Sequence, residues 1–143
     1  MTTLPKLRIA YQPIVALGSH QVVGYEALLR VDGLSPLEVF RHAREQGSEL
    51  LVDMECVRAA IAGAAGFAPG QRLFVNLSPG TVVALAHGKA CLVAPIRKPR
   101  LVFELPERPE WDDANLDWER LRATLSYAGE IALDDIGEGF RDL

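Results

Sequence analysis

Residues that favour extended backbone concentrate in two runs near the start of the chain, Arg8 to Leu17 and Gln21 to Val31, joined only by Gly18-Ser19-His20. So short a link cannot carry a crossover between parallel strands, so the two runs are predicted to pair antiparallel or to enter separate sheets. The pattern then changes to helical spacing. Ser35-Pro36-Leu37-Glu38 reads as a helix start, with Ser35 as cap, Pro36 in the first turn and Glu38 closing a capping box, and Gly47 is the expected stop. From about Glu49 a second helix is predicted, with Leu50, Met54, Val57 and Ile61 at helical spacing, fraying before Pro69-Gly70. A strand over Arg72 to Leu77, a helix from Ser78-Pro79 that stops before Pro95, and a strand over Arg100 to Leu105 follow. Asn115 is expected to cap a last helix, with Trp118, Leu121, Leu125 and Ala128 on one face and Gly129 as its end. Glu130 to Asp134 is the final predicted strand.

Alternating strands and helices imply a parallel α/β sheet, and four strand ends share a chemical feature. Each apolar strand stops at a carboxylate or amide: Glu26 in Gly24-Tyr25-Glu26-Ala27-Leu28-Leu29-Arg30, Asn76 in Phe74-Val75-Asn76-Leu77-Ser78-Pro79, Glu104 in Val102-Phe103-Glu104-Leu105-Pro106-Glu107, and Asp134 in Ala132-Leu133-Asp134-Asp135-Ile136-Gly137. Asn76, Glu104 and Asp134 are spaced 28 and 30 residues apart, the length of one strand, one covering helix and two loops. Oxygen ligands are thereby carried to one mouth of one sheet. An isolated Glu26 would read as a solvated acid, but repetition at successive strand ends argues for a site. A complete eight-unit barrel needs about 250 residues. The expectation for these 143 residues is a single α/β domain, a partial TIM-like (β/α) barrel with an antiparallel first strand that stops after strand five.

The chain is 49% hydrophobic, enough for a buried core, and its net charge of -4 comes from interleaved acids and bases. That balance argues against a DNA or RNA groove and against a polybasic membrane contact. No apolar leader precedes Arg8, and the apolar run from Ala59 to Pro69 is too short to span a membrane, so the chain reads as soluble and cytoplasmic. Cys56 and Cys91 share no close spacing with each other or with a histidine and read as buried, reduced thiols. His20, His42 and His87 are scattered and read as surface or structural. Trp111 and Trp118 are expected to pack the helix before strand five. Asp53 reads as the edge of a helix face or a buried, hydrogen-bonded acid, without a catalytic role.

A site of carboxylate and amide oxygens, without His or Cys, suits Mg²⁺ or Mn²⁺ rather than zinc. Two such ions can neutralise a phosphodiester and activate a water, and Arg30 can add a bidentate grip on phosphate. The motifs Tyr11-Gln12-Pro13-Ile14, Glu26-Ala27-Leu28-Leu29-Arg30, Val75-Asn76-Leu77-Ser78-Pro79, Glu104-Leu105-Pro106-Glu107 and Asp134-Asp135-Ile136-Gly137 stand in an order and spacing that resembles the EAL domain, a family of phosphodiesterases of the bacterial messenger cyclic di-GMP. The resemblance implies metal-dependent hydrolysis of cyclic di-GMP to linear pGpG. It implies further that Glu26, Asn76, Glu104 and Asp134 are metal ligands, that Asp135 serves the second metal, that Gln12 and Arg30 contact the dinucleotide, and that Glu107 steadies the loop after strand five.

The family pattern also uses a lysine and further acids beyond the fifth strand, so catalysis by this chain alone is expected to be impaired or absent. Pro106 stands where the family usually has Thr, and Ile136 with Glu138 replaces the usual Phe and a small residue. An excised or naturally shortened domain would leave the edge of strand five unpaired, from which self-association is expected. Two rival readings remain at this stage: a catalytically dead module that binds the nucleotide or a protein, and another β/α-barrel metalloenzyme.

Overall fold

A computed structural model of the chain describes residues 6–90, 99–106 and 115–134. Strands β1 (Leu7–Val15) and β2 (Val22–Val31) form an antiparallel hairpin, closed by Ala16 N–H to Gln21 C=O at 2.9 Å. His20 takes the left-handed conformation in that turn (φ 56°), giving this histidine a structural place. Of the two pairings the short link allowed, the hairpin within one sheet is the one formed.

Helix α1 (Pro36–Glu45) begins as its sequence predicts. The Ser35 hydroxyl accepts from the Glu38 N–H at 3.2 Å, and the Glu38 carboxylate accepts from the Ser35 N–H at 2.7 Å. The hydrogen bond from the Ser35 N–H holds Glu38 below its usual carboxylate range. Beyond the C-cap, Gly47 adopts φ +66°, the left-handed geometry that glycine takes without a side-chain clash.

Helix α2 (Glu49–Gly63), strand β3 (Arg72–Asn76), helix α3 (Pro79–Ala86), strand β4 (Arg100–Pro106), helix α4 (Trp118–Ala128) and strand β5 (Glu130–Asp134) complete the described elements. The sheet order is β1-β2-β3-β4-β5, parallel from β2 onward. Strand alternation sends Leu73, Val75, Leu101, Phe103 and Leu105 to one face, where α2, α3 and α4 bury them against Ala60, Val82, Leu85, Leu121 and Leu125. The opposite face carries Glu26, Phe74, Asn76, Val102 and Glu104. The core is thus one-sided, and the chemistry stands on its other side.

Two helices differ in detail from expectation. The cap of α4 is Asp117, whose carboxylate accepts from the Arg120 N–H at 2.9 Å; Asn115 instead occupies a left-handed turn (φ 50°) just before it. Trp118, the first residue of α4, is 44% exposed, and the core face of α4 is Leu121 and Leu125, with Ala128 packed against the core as well. Trp111 lies outside the described residues. Gly129 ends α4 with extended backbone, and a Cβ there would stand 2.5 Å from the Leu101 carbonyl oxygen, so close packing fixes this glycine. In α2 the buried face runs through Glu49, Val52, Asp53, Val57 and Ala60, placing Asp53 at its centre and leaving Met54 and Ile61 partly buried.

Candidate functional site

Gln12, Glu26, Arg30, Asn76 and Glu104 fall on the polar face of the described strands. Gln12 is in register with Glu26, Asn76 with Glu104, and Pro106 with Asp134. Glu26 pairs with Phe74 and Glu104 with Ala132, so the positions step up by two residues between β2 and β3 and again between β4 and β5 instead of sharing a single row. In a sheet that closes toward a barrel the strands tilt and stagger, so a climbing diagonal of the register becomes a level rim at the mouth.

Glu26 and Asn76 are joined directly: the Asn76 amide nitrogen, Nδ2, donates to Glu26 Oε1 at 2.9 Å. That bond leaves Asn76 Oδ1 and Glu26 Oε2 as acceptor atoms at the mouth. Glu26 forms no ion pair with a cation among the described residues, and Asn76 is exposed. Glu104 is half-buried beside it on β4. Arg30, exposed near the end of β2, donates from Nη1 to the Leu29 carbonyl at 2.8 Å, which leaves most of its five N–H donors unused by that bond. Tyr11 sits on the helix side, where its hydroxyl donates to the Ala60 carbonyl at 2.7 Å, and this anchors β1 with Gln12 on the polar side. Burial raises the Tyr11 pKa.

Among the described residues no three His, Cys, Asp or Glu side chains gather closely enough to hold a metal ion. The described part of the mouth supplies two carboxylates, Glu26 and Glu104, and one amide, Asn76. All offer oxygen, the donor chemistry of a hard divalent cation, so the residues present fit Mg²⁺ or Mn²⁺ in kind. Asp134 ends β5; Asp135 and Glu107 lie outside the described residues.

The strand-to-helix turn behind Asn76 is held by a group that sequence reasoning left without a function. Asp53 is 0% exposed, and its Oδ2 accepts from the Ser78 N–H at 2.7 Å and from the Ser78 hydroxyl at 2.6 Å. Burial raises its pKa, an effect opposed by the Ser78 and Thr81 hydroxyls and the Ser78 N–H and reinforced by the charge of Glu49. The sequence signal was there: Glu49 and Asp53, four residues apart, put two acids on one face of a helix that must face the core. Cys56 is a different case. Burial, with the nearby charges of Asp53 and Glu55, pushes its thiol up to about 12, so it is inert at neutral pH. It borders a small cavity of about 130 Å³ with Phe40, Val57 and Val75, a cavity that Arg30 and Asn76 also line.

A family model described as EAL domain matches residues 3–143. In sequence the chain is 29% identical over 148 residues to a Caulobacter vibrioides protein described as an uncharacterized signaling protein, covering 96% of this chain and 18% of that relative. In structure it is similar to Klebsiella pneumoniae BlrP1, solved as a manganese and cyclic di-GMP complex at pH 6, with a TM-score of 0.69 and 26% identity over 94% of this chain and 36% of that one. The Bacillus subtilis YkuI protein, solved with an EAL domain in complex with the substrate cyclic di-GMP and calcium, shares the fold at a TM-score of 0.65 and 23% identity, covering 92% of this chain and 36% of that one. The chain therefore spans less than a fifth of the curated relative and little over a third of either solved chain. Its five-stranded sheet with an antiparallel first strand is part of an α/β barrel-like fold. Among the described residues no helix is long and apolar enough to cross a membrane.

Proposed function

Because the chain belongs to the EAL domain family, we propose that its strand-end mouth binds cyclic di-GMP together with divalent metal ions, as the region of a cyclic di-GMP phosphodiesterase that forms linear pGpG. The observation that carries this reading is the Asn76–Glu26 hydrogen bond of 2.9 Å, with Glu104 in register beside Asn76, because it joins ligands from β2, β3 and β4 on one polar face. In the proposal Glu26, Asn76, Glu104 and Asp134 hold the ions, preferably Mg²⁺ or Mn²⁺, and Asp135 serves the second. When bound, the ions supply charge neutralisation at phosphate and a more acidic water. The chain's own residues orient the substrate: Arg30 meets phosphate with a planar pair of N–H donors, and Gln12, beside Glu26, contacts the dinucleotide. Glu107 steadies the loop after β4.

A second reading is binding without turnover. In that reading the same ligands capture cyclic di-GMP and the chain signals by occupancy. One experiment separates the two. Cyclic di-GMP is incubated with the chain and Mn²⁺ or Mg²⁺, beside Glu26→Ala, while bound and hydrolysed nucleotide are measured. Binding that requires metal and falls at least about 100-fold in Glu26→Ala is expected, since even supporting residues around a metal are worth 10–100-fold. Turnover that disappears in Glu26→Ala establishes hydrolysis, and metal-dependent binding without turnover establishes the second reading. No binding at all contradicts both.

Self-association belongs to the same proposal. Among the described residues β5 pairs only with β4, and beside its other edge Leu133 is 57% exposed next to an apolar groove of about 470 Å³ formed with Leu105, Trp118, Leu121 and Ile131. Such an edge pairs with a second copy unless something covers it. Light scattering should give a mass that rises with concentration, and a constant monomer mass contradicts this.

A further inference from the structure

The N-terminus of α3 is capped from outside. Its N-cap residue, Ser78, makes no capping bond with its own side chain. The hydroxyl instead donates to Asp53 on α2 at 2.6 Å and lies 3.2 Å from the Thr81 hydroxyl, while the Ser78 N–H donates to the same carboxylate oxygen at 2.7 Å. Glu49, one turn earlier on α2, reaches the same helix end: a Cβ at Gly80 would stand 1.8 Å from its carboxylate oxygen, so this approach requires glycine. Two acids on α2 thus face the partial positive charge at the start of α3.

The consequence falls on Asn76, two residues before Ser78. Between them, Leu77 is 2% exposed and its N–H donates to the Glu104 carbonyl at 3.1 Å. The backbone from 76 to 78 is therefore fixed on one side by β4 and on the other by Asp53. Among the described residues, the Asn76 side chain has only its hydrogen bond to Glu26 to set its direction beyond what that backbone dictates. Packing of α2 on α3 is poorly served by a carboxylate, because enclosing one costs desolvation, and among the described residues Asp53 Oδ1 finds no hydrogen-bond partner.

We infer that Asp53 is a positioning residue for Asn76: by clamping Ser78 it fixes the β3–α3 turn that aims the Asn76 amide at Glu26 and the mouth. Its effect on metal binding rests on the proposed role of Asn76 as a ligand, whereas its effect on the Asn76 side chain does not. Supporting residues of this kind alter metal affinity by about 10–100-fold.

The test reads both levels on the whole chain. In ¹⁵N-labelled protein without metal, the Asn76 side-chain NH₂ resonances are identified by their loss in Asn76→Ala. They are expected to move toward the position of a free asparagine in Asp53→Ala and to return close to the parent position in Asp53→Asn, which keeps an acceptor for Ser78. Mn²⁺ affinity should fall about 10-fold or more in Asp53→Ala, with no further loss when that change is added to Asn76→Ala. Should Asp53→Ala fail to fold, Ser78→Ala removes one of the two hydrogen bonds and should move the same resonances less far in the same direction. Unmoved Asn76 resonances in whichever of these variants folds overturn the inference. A Mn²⁺ affinity lowered by Asn76→Ala but untouched by Asp53→Ala also overturns it and leaves the metal reading intact. An affinity indifferent to Asn76→Ala removes the metal reading instead, and the resonances alone then decide the role of Asp53.

Discussion

The polar face of the sheet has two ends, built on the same strands with opposite electrostatics. Where the parallel strands begin, Glu130 lies between two guanidinium groups, 3.2 Å from Arg72 and 2.6 Å from Arg100, so β3, β4 and β5 are tied together by charges that satisfy one another. Further along, Glu26 midway through β2, Asn76 at the end of β3 and Glu104 near the end of β4 offer oxygen, and Glu26 meets no cation among the described residues. The first arrangement is self-contained. The second leaves the Glu26 carboxylate with an amide, not a cation, as its partner among the described residues. In barrels of this kind chemistry belongs to the end where strands finish and stability to the end where they start. On the proposed site, that division falls within one sheet.

The largest effect should come from the scaffold both ends share. Phe103, 1% exposed on the helix side, leaves a cavity when shortened, and Phe103→Ala is expected to lower unfolding free energy by about 3–5 kcal/mol in urea titrations. Both ends should be lost together, and a loss under about 1 kcal/mol would show that they stand on separate supports.

The next effect is a slope with pH set beneath the mouth. Asp53 has a pKa raised above its ordinary 3.8, so the folded chain holds a proton that the unfolded chain has released. Its contribution is fully present below 3.8 and is lost as pH rises through the folded value. Measured against Asp53→Asn, the parent should lose stability as pH rises across that window. A parent that gains stability relative to the variant there would mean a depressed pKa and a carboxylate better satisfied than its burial implies.

The smallest effect compares the two ends by sign. Glu130→Ala should lower stability by less than about 1 kcal/mol, because its ion pairs are roughly half exposed, and high salt should shrink the difference. Glu26→Ala should leave stability unchanged or slightly higher. Equal losses in the two variants would erase the distinction.

Much of this was legible in the sequence because it rests on local chemistry. The capping box at Ser35 and Glu38, the stop at Gly47 and the strand bounds around Asn76 and Glu104 each follow from residues within one turn or one strand. The start of α4 was not, since Asn115 and Asp117 are both good caps and only the chain path shows that Asn115 is spent in a left-handed turn. The face of α2 was legible in part: of Leu50, Met54, Val57 and Ile61, Val57 is buried and Met54 and Ile61 pack against the core, whereas the two acids on the buried stripe, Glu49 and Asp53, answer to the N-terminus of α3 opposite Asp53. The choice of Glu26 rested on the strand-end pattern and that of Gln12 on motif resemblance, and the bond between Glu26 and Asn76, fifty residues apart, depends on a register that the sequence does not spell out.

The most direct test is to add Mn²⁺ below stoichiometry to ¹⁵N-labelled chain and record which amide resonances broaden. The ends of β3 are roughly 13 Å apart at about 3.3 Å per residue, enough for paramagnetic broadening to tell them apart. Selective loss at Glu26, Asn76 and Glu104, with Arg72, Arg100 and Glu130 persisting, is the predicted result. Broadening centred on Arg72, Arg100 and Glu130, or spread evenly over the sheet, would contradict a metal site at the strand-end mouth.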